Sequence, residues 1–355
     1  MDENWKVLSS LFPLGWKQMA QRCGAVERLR GFRSSEVLLR MILLHVGKGY
    51  SLRETTVQAK LAHWADISDV ALFKRLRQSE EWLRSLCVGL LKESKCLPVK
   101  HTALALIRVV DGTVVKEPGK TGSQWRILYS LRLPSLACDF FELTATMGEG
   151  CGESLNRLPV TSHELIMADA GYCSVAGIDS VHQRGADVLV RINPQSFVAF
   201  SPQGTRFALA ARLRSLTESG QIGEWPVVLH GPHSSISGRV CAERKSEHAI
   251  RLAHRRLHRR SSKKQMLTRP LTLEFAKYVL VFTTRPIGSA KEVLHLYRMR
   301  WQVELAFKRL KTIAQLGHLP KHDEKSSRAW LYGKLFVALL VQKAICIGHD
   351  ISPSR

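Results

Sequence analysis

The chain has 355 residues, 45% of them hydrophobic, with a net charge of +23 at pH 7 and a pI near 10.1. That length allows two or three domains of roughly 100–200 residues each, and that apolar content excludes a disordered tail. The excess of positive charge implies a polyanionic partner, either nucleic acid or an acidic membrane surface.

The N-terminus, MDENWKVLSS, opens with acids and has no apolar centre, so it does not read as a secretory signal. Residues 1–97 read as an all-helical N-terminal domain. SSEVLLRMILLHVGKG starts on serine caps and stops at Gly47 and Gly49. Ser51-Leu-Arg-Glu54 has the form of a capping box. ISDVALFKRLRQSEEWLRSL repeats apolar residues at helical spacing, and its cations Lys74, Arg75 and Arg77 permit a helix-turn-helix-like DNA-binding module. The alternative is a plain bundle with a solvated basic face.

The pattern changes after Pro98. LIRVVDGTVV (106–115), DFFELTATM (139–147), ELIMAD (164–169) and DVLVRI (187–192) read as strands, with GIDSVHQRGA as a short helix between the last two. Strands with an interposed helix predict a mixed α/β sheet. Asp111 lies inside an apolar strand, where a carboxylate is costly unless it binds a cation or accepts hydrogen bonds. Asp169 ends a strand, which is where α/β folds place working residues. Trp125 reads as packing beside the first strand, with Arg126 reaching toward DNA. Glu153, in CGESLNR, reads either as an auxiliary acid near the site or as an ordinary acid at a helix start.

Residues 196–285 hold short strand-like pieces, WPVVLH and YVLVFTT, around a basic middle. Residues 244–264 carry nine Lys or Arg against the single acid Glu247. Arg251, Arg255, Arg259 and Lys263 recur every four residues and so line one helix face. A DNA-backbone contact is the functional reading, and a solvated charged face the alternative. His254 and His258 are four apart but lack the Glu of a zinc-protease helix. Trp225 reads as a core tryptophan, or as a platform for a base displaced from the duplex.

Ser289-Ala-Lys-Glu292 is a second capping box, announcing the helix YRMRWQVELAFKRLK. That segment sets Arg298, Arg300, Lys308, Arg309 and Lys311 against the lone acid Glu304. On a helical wheel Tyr297, Arg300, Glu304 and Lys311 share one narrow stripe, Lys308 flanks it, and Leu296, Val303, Phe307 and Leu310 form a buried side. The alternative is an exposed face with i,i+4 pairs such as Arg300–Glu304. Two strand aspartates and one helix glutamate would make a hard-oxygen site suited to Mg²⁺, and two such ions support phosphodiester cleavage. The apolar run Trp330–Gly348 is interrupted by Lys334, Gln342 and Lys343, so it reads as a packed helix rather than a membrane span. Eight scattered cysteines without a C-x-x-C pair fit buried free thiols in a reducing cytoplasm.

Three of these stretches together resemble the DDE transposases of the insertion-sequence-four family. They are DGTVVKEPGKTGSQWR around Asp111, MADAGYC around Asp169, and the signature Y-x2-R-x3-E-x6-K formed by Tyr297, Arg300, Glu304 and Lys311. The likeness runs over residues 105–340. It implies a ribonuclease H-like catalytic core in two parts, 98–195 and 286–355, interrupted by a mostly β insertion over 196–285. It implies Asp111, Asp169 and Glu304 as the catalytic triad holding two Mg²⁺ (or Mn²⁺) ions, with Tyr297, Arg300 and Lys311 on the phosphates of the transposon end; Lys308, flanking that stripe, is read as a further DNA contact. The activity implied is metal-dependent cleavage of double-stranded transposon ends and strand transfer, in a homodimer that pairs two ends, with no membrane involved. Many relatives have Arg where Ala170 stands, and relatives are expected to continue beyond ISPSR. The alternative function is therefore a non-catalytic or truncated DNA-binding relative that regulates transposition.

Overall fold

The computed structural model describes residues 2–26, 31–95, 106–116, 124–133, 135–146, 153–301, 304–305, 319–320 and 323–351. Its first six helices are α1 (Asp2–Ser10), α2 (Trp16–Arg22), α3 (Ser35–Lys48), α4 (Leu52–Leu61), α5 (Asp69–Gln78) and α6 (Glu80–Lys95). The local signals act as chemistry requires. Ser34 Oγ accepts from the Val37 N–H, and Gly49 takes the left-handed conformation (φ 78°) that ends α3. Ser51 and Glu54 form the reciprocal capping box of α4. The segment read as one run after Ile67 is two helices. The chain breaks at buried Ser79, whose hydroxyl donates to the Arg75 carbonyl and closes α5.

Strand β1 (Ile107–Lys116) forms because both of its faces are covered. Val109 and Val110 are fully buried on opposite sides, so the apolar run is continuous rather than alternating. β2 (Gln124–Arg132) and β3 (Ala137–Ala145) follow in antiparallel order. β4 (Leu165–Ala168) and β5 (Asp187–Arg191) then add in parallel to β1, with α7 (Val175–His182) crossing between them. α8 (Leu209–Arg214), β6 (Ile222–His230), β7 (Ser235–Arg244), α9 (Glu247–Lys263), α10 (Pro270–Ala276) and β8 (Tyr278–Thr283) come next. α11 (Ala290–Arg298) and α12 (Glu324–Ile351) end the described chain. The eight strands make one sheet in the order β3-β2-β1-β4-β5-β8-β7-β6.

Two strands, β2 and β7, were absent from the sequence reading. QWRILYSLR mixes its charges into the apolar pattern, and SISGRVCAER is broken by Gly238, whose absent Cβ leaves room for the Phe282 ring and the Thr283 carbonyl. The expectation of a mostly β insertion is also corrected. The region 196–285 holds three helices as well as three strands, because the basic middle is itself a helix capped by Ser246. Its strands join the main sheet through β5–β8 pairing instead of forming a separate β unit.

The sheet lies between two apolar cores. On one face the N-terminal helices, α11 and α12 pack against residues such as Val109, Ile127, Leu131, Met167 and Val281. The other face buries Val110, Leu128, Ile166, Val188, Val240 and Phe282 with α7 and α8. At the N-terminal end of β1, Arg108 is buried in a four-charge network. It pairs with Asp139 (2.8 Å) and Glu164 (3.0 Å), and Arg132 pairs with the same two acids (3.0 and 2.8 Å).

α12 is long and apolar enough to cross a membrane. Here it fills the first core: Leu331 and Phe336 are fully buried, and the Phe336 ring lies 5.3 Å from that of Phe12. Lys334, equally buried, lies over the Trp330 ring at 5.0 Å. Phe336→Ala is therefore expected to cost about 3–5 kcal/mol of folding stability, measured as a fall in the urea midpoint. A cost below about 1 kcal/mol would mean that this helix does not anchor the core.

Candidate active site

The parallel register of β1 and β4 sets Val110 opposite Ala168. The next residues on the two strands are Asp111 and Asp169, so the aspartates stand side by side although 58 positions separate them in sequence. β4 and β5 continue the row, with Ala168 opposite Val190. That places Arg191 next along the same sheet edge. Asp111 Oδ1 accepts from the Gly112 N–H (2.8 Å), and Asp169 opens the tight turn Ala170–Tyr172 without capping it.

α11 brings the second half of the site. Its buried Tyr297 directs the phenol to Asp169 Oδ1 (3.5 Å). Burial first, and then the charge of Asp169, raises the Tyr297 phenol well above its ordinary range. The helix ends at Arg298, closed by bonds from the Met299 N–H to Leu296 and from the Arg300 N–H to Tyr297. Trp301, Glu304 and Leu305 are again helical. The expected single helix through Tyr297 and Glu304 is thus corrected to two segments. An apolar period that continues across a tight turn does not distinguish one helix from two that abut.

Arg300 lies in that turn and joins the acids. Its Nη2 meets Glu304 Oε1 at 2.5 Å, its Nη1 is 3.9 Å from Asp111 Oδ2, and its guanidinium carbon lies 5.9 Å from the centre of the Tyr297 ring. The structure therefore brings together Asp111, Asp169, Tyr297, Arg300 and Glu304. Lys308 and Lys311 lie outside the described residues. Arg126 joins the same cluster through Glu153, at 3.6 Å, and Trp125 is buried in the core. Burial pushes the Asp111 carboxyl up to about 6. Asp169 and Glu153 add to the rise, and the Gly112 N–H and Arg300 oppose it.

Two cations at this edge were missed. Arg191 follows from register once β4 and β5 are aligned; sequence spacing alone does not reveal it. Lys245 follows β7, donates to the Ala276 carbonyl (2.7 Å), and is pushed down to about 8 by burial and then by Arg191. β7 ends where β8 begins, with Arg244 opposite Tyr278, and β8 runs antiparallel to β5 with Val281 opposite Arg191. α9 and α10 therefore leave the sheet at the edge that carries Asp169. Arg251, Arg255 and Arg259 are exposed on α9, and none forms an ion pair among the described residues. His254 instead donates to Leu273 of α10 (2.9 Å), a structural bond. Trp225 is distant from the acids. It sits on β6, five strands from β1, or roughly 24 Å at ~4.8 Å per strand. Its ring folds over Gly223 and packs near Phe207.

An α/β sheet with acids gathered at one edge and cations around them suits the handling of a phosphodiester backbone. The model of the transposase DDE domain matches residues 103–340. The chain belongs to that family, whose members cut and transfer DNA and generally use divalent metal ions. More narrowly, it is an insertion-sequence transposase. It is 32% identical to the transposase of insertion sequence element IS421 of Escherichia coli over 99% of this chain and 96% of that one. It is 22% identical to the transposase of IS231B of Bacillus thuringiensis subsp. berliner over 93% and 77%. Among solved structures, a piggyBac transposase synaptic complex with hairpin DNA matches with a TM-score of 0.47 and 11% identity, over 98% of this chain and 73% of that one.

The donors fit a hard divalent cation. All are carboxylates, and Asp111 is half-buried beside other acids. The Tyr172 hydroxyl is buried near them without a hydrogen-bond partner. Among the described residues, however, no three potential ligands are close enough to form a closed metal cluster, and Arg300 stands between Glu304 and Asp111.

The half-buried Asp111 carboxylate carries a pH-dependent cost to folding. Its ordinary value of 3.8 rises to about 6, so between these values the unfolded chain ionises while the folded chain holds its proton. The penalty is absent below about pH 4 and complete above about pH 6. Asp111→Asn keeps the acceptor for Gly112 and removes the charge. With chelator at pH 7.5 it should gain on the order of 2 kcal/mol, read as a higher Tm, and the gain should vanish at pH 4. An equal or lower Tm at pH 7.5 would contradict a half-buried carboxylate whose charge is disfavoured by its surroundings.

Proposed function

We propose that this transposase acts through a ribonuclease H-like core, cleaving transposon ends and joining the freed 3′-hydroxyl to another phosphodiester. The order β3-β2-β1-β4-β5, with its three parallel central strands, supports that core. The observation that carries the chemistry is the register pairing of Asp111 with Asp169, with the Arg300–Glu304 pair held against Asp111. Asp111, Asp169 and Glu304 hold Mg²⁺ or Mn²⁺, two ions per site. When bound, the ions supply charge neutralisation at the attacking and leaving oxygens. Tyr297, Arg300, Lys308 and Lys311, the Y-R-E-K residues of the insertion-sequence-four type with the adjoining Lys308, hold the phosphates of the end. Arg300 would leave Glu304 and Asp111 for a phosphate as cations and DNA arrive, exchanging one charge-assisted partner for another. No covalent intermediate is needed, so Tyr297 serves as a contact and not as a nucleophile.

The helical domain of residues 1–97 binds the element end. α9 grips the duplex backbone through Arg251, Arg255 and Arg259. The working unit is a homodimer that holds two ends, acting in the cytoplasm.

Glu304→Gln removes an anionic ligand at constant size and relieves repulsion toward DNA. It should abolish nicking of an end oligonucleotide in Mg²⁺ while gel-shift affinity stays equal or rises slightly. Nicking at the normal rate would end the assignment of Glu304 to the metal and favour a non-catalytic DNA-binding role. Changing Arg251, Arg255 and Arg259 together to Gln should weaken binding to any duplex. It should also flatten the log–log salt dependence by about 0.9 per lost phosphate contact, with little change in sequence preference. An unaltered slope would return α9 to a solvated surface.

A further inference from the structure

Glu153 lies between β3 and the short turn Leu155–Arg157, 42 residues after Asp111 and 16 before Asp169, and its carboxylate sits beside the glycines that follow both aspartates. A Cβ on Gly171 would overlap Glu153 Oε2, and a Cβ on Gly112 would lie 3.8 Å from Oε1. Gly112 directly follows Asp111, and Gly171 is two residues beyond Asp169. Glycine at 171 leaves the space that the carboxylate occupies, and glycine at 112 leaves room for the Tyr172 hydroxyl. Its only ion pair among the described residues is with Arg126, at the loose distance of 3.6 Å, and its side chain is 36% exposed. Such a pair contributes little to stability. A turn of three residues, already capped by Ser154, gives an acid no helix dipole to serve.

A second observation points the same way. Tyr172 is 1% exposed, and its hydroxyl has no hydrogen-bond partner among the described residues. That hydroxyl lies 2.9 Å from the place a Gly112 Cβ would take, within the electrostatic reach of both Glu153 and Asp111. Buried hydroxyls are almost always satisfied, by protein or by ordered water. Mg²⁺ keeps several waters and is held by few carboxylates, so an ion among these acids would bring water to the orphaned phenol.

We propose that Glu153 is a fourth metal-holding carboxylate of this site, with the Tyr172 hydroxyl holding a water of the ion's shell and Arg126 as the counter-ion of Glu153 when metal is absent. This rests on the reading of Asp111 and Asp169 as metal ligands.

The test is Mn²⁺ binding to the full chain without DNA, followed by the paramagnetic resonance signal of the free ion, beside nicking measured against Mg²⁺ concentration. Glu153→Gln should raise the Mn²⁺ dissociation constant roughly 10–100-fold and shift half-maximal Mg²⁺ for nicking upward in parallel. Tyr172→Phe should raise the dissociation constant by less, and Arg126→Gln, which frees the carboxylate, should lower it. Circular dichroism and Tm with chelator should match the wild type for Glu153→Gln. If Glu153→Gln and Arg126→Gln both bind Mn²⁺ like the wild type, the proposal is overturned. Should Glu153→Gln fail to fold, unchanged affinity in Arg126→Gln alone overturns it. Asp111→Asn is the reference: if it also binds like the wild type, the ion lies elsewhere and the reading beneath the proposal fails too. A wild type that binds Mn²⁺ but never nicks end DNA removes the transposition chemistry while leaving the ligand assignment to the binding data.

Discussion

The pairing of β1 with β4 is the constraint on which the rest of the structure depends. A charge within a strand buried on both faces is costly unless something answers it. The parallel pairing of β1 with β4 ends at Val110 and Ala168, so Asp111 and Asp169 are the next residues on each and stand as neighbours. Three further side chains at this edge gather around those two acids. Arg300 approaches Asp111, the Tyr297 phenol turns to Asp169, and Glu153 takes the space left by Gly171. The opposite end of β1 has its own solution. There Arg108 and Arg132 each pair with both Asp139 and Glu164, so two cations balance two acids.

Much of this was legible in the sequence, for physical reasons that differ by element. Capping boxes at Ser51 and Ser289 were readable because they are local, needing only four residues in order. β1, β4, β5 and β8 were readable as unbroken apolar runs. Asp111 stood out because the run around it made a charge expensive. β2 and β7 were hidden because neither is a clean run, and their membership in the sheet comes from partners far along the chain. The break between α11 and the Glu304 segment was hidden for the converse reason: the period is intact and the turn leaves no Gly or Pro behind. Arg191 and the central place of Glu153 are products of register and packing, which no spacing within one segment reports.

Arg300 also explains why one carboxylate stands alone among cations near the end of α11. In the absence of metal and nucleic acid, a guanidinium between Glu304 and Asp111 relieves the repulsion that three acids would otherwise impose. The same guanidinium is suited to phosphate, so one side chain can serve both conditions. The apo arrangement is consequently looser than a closed metal cluster and is still recognisably gathered.

The ladder β5–β8–β7 has a mechanical consequence. α9 and α10 hang from strands that are hydrogen-bonded, without interruption, to the strand beside Asp169. At the other end of the same hairpin, Asp179 of α7 clasps the β6–β7 turn through the His233 N–H and the Ser234 hydroxyl. The added strands are therefore tied to the sheet at both ends, and the basic helix starts from the same hydrogen-bonded ladder that carries Asp169.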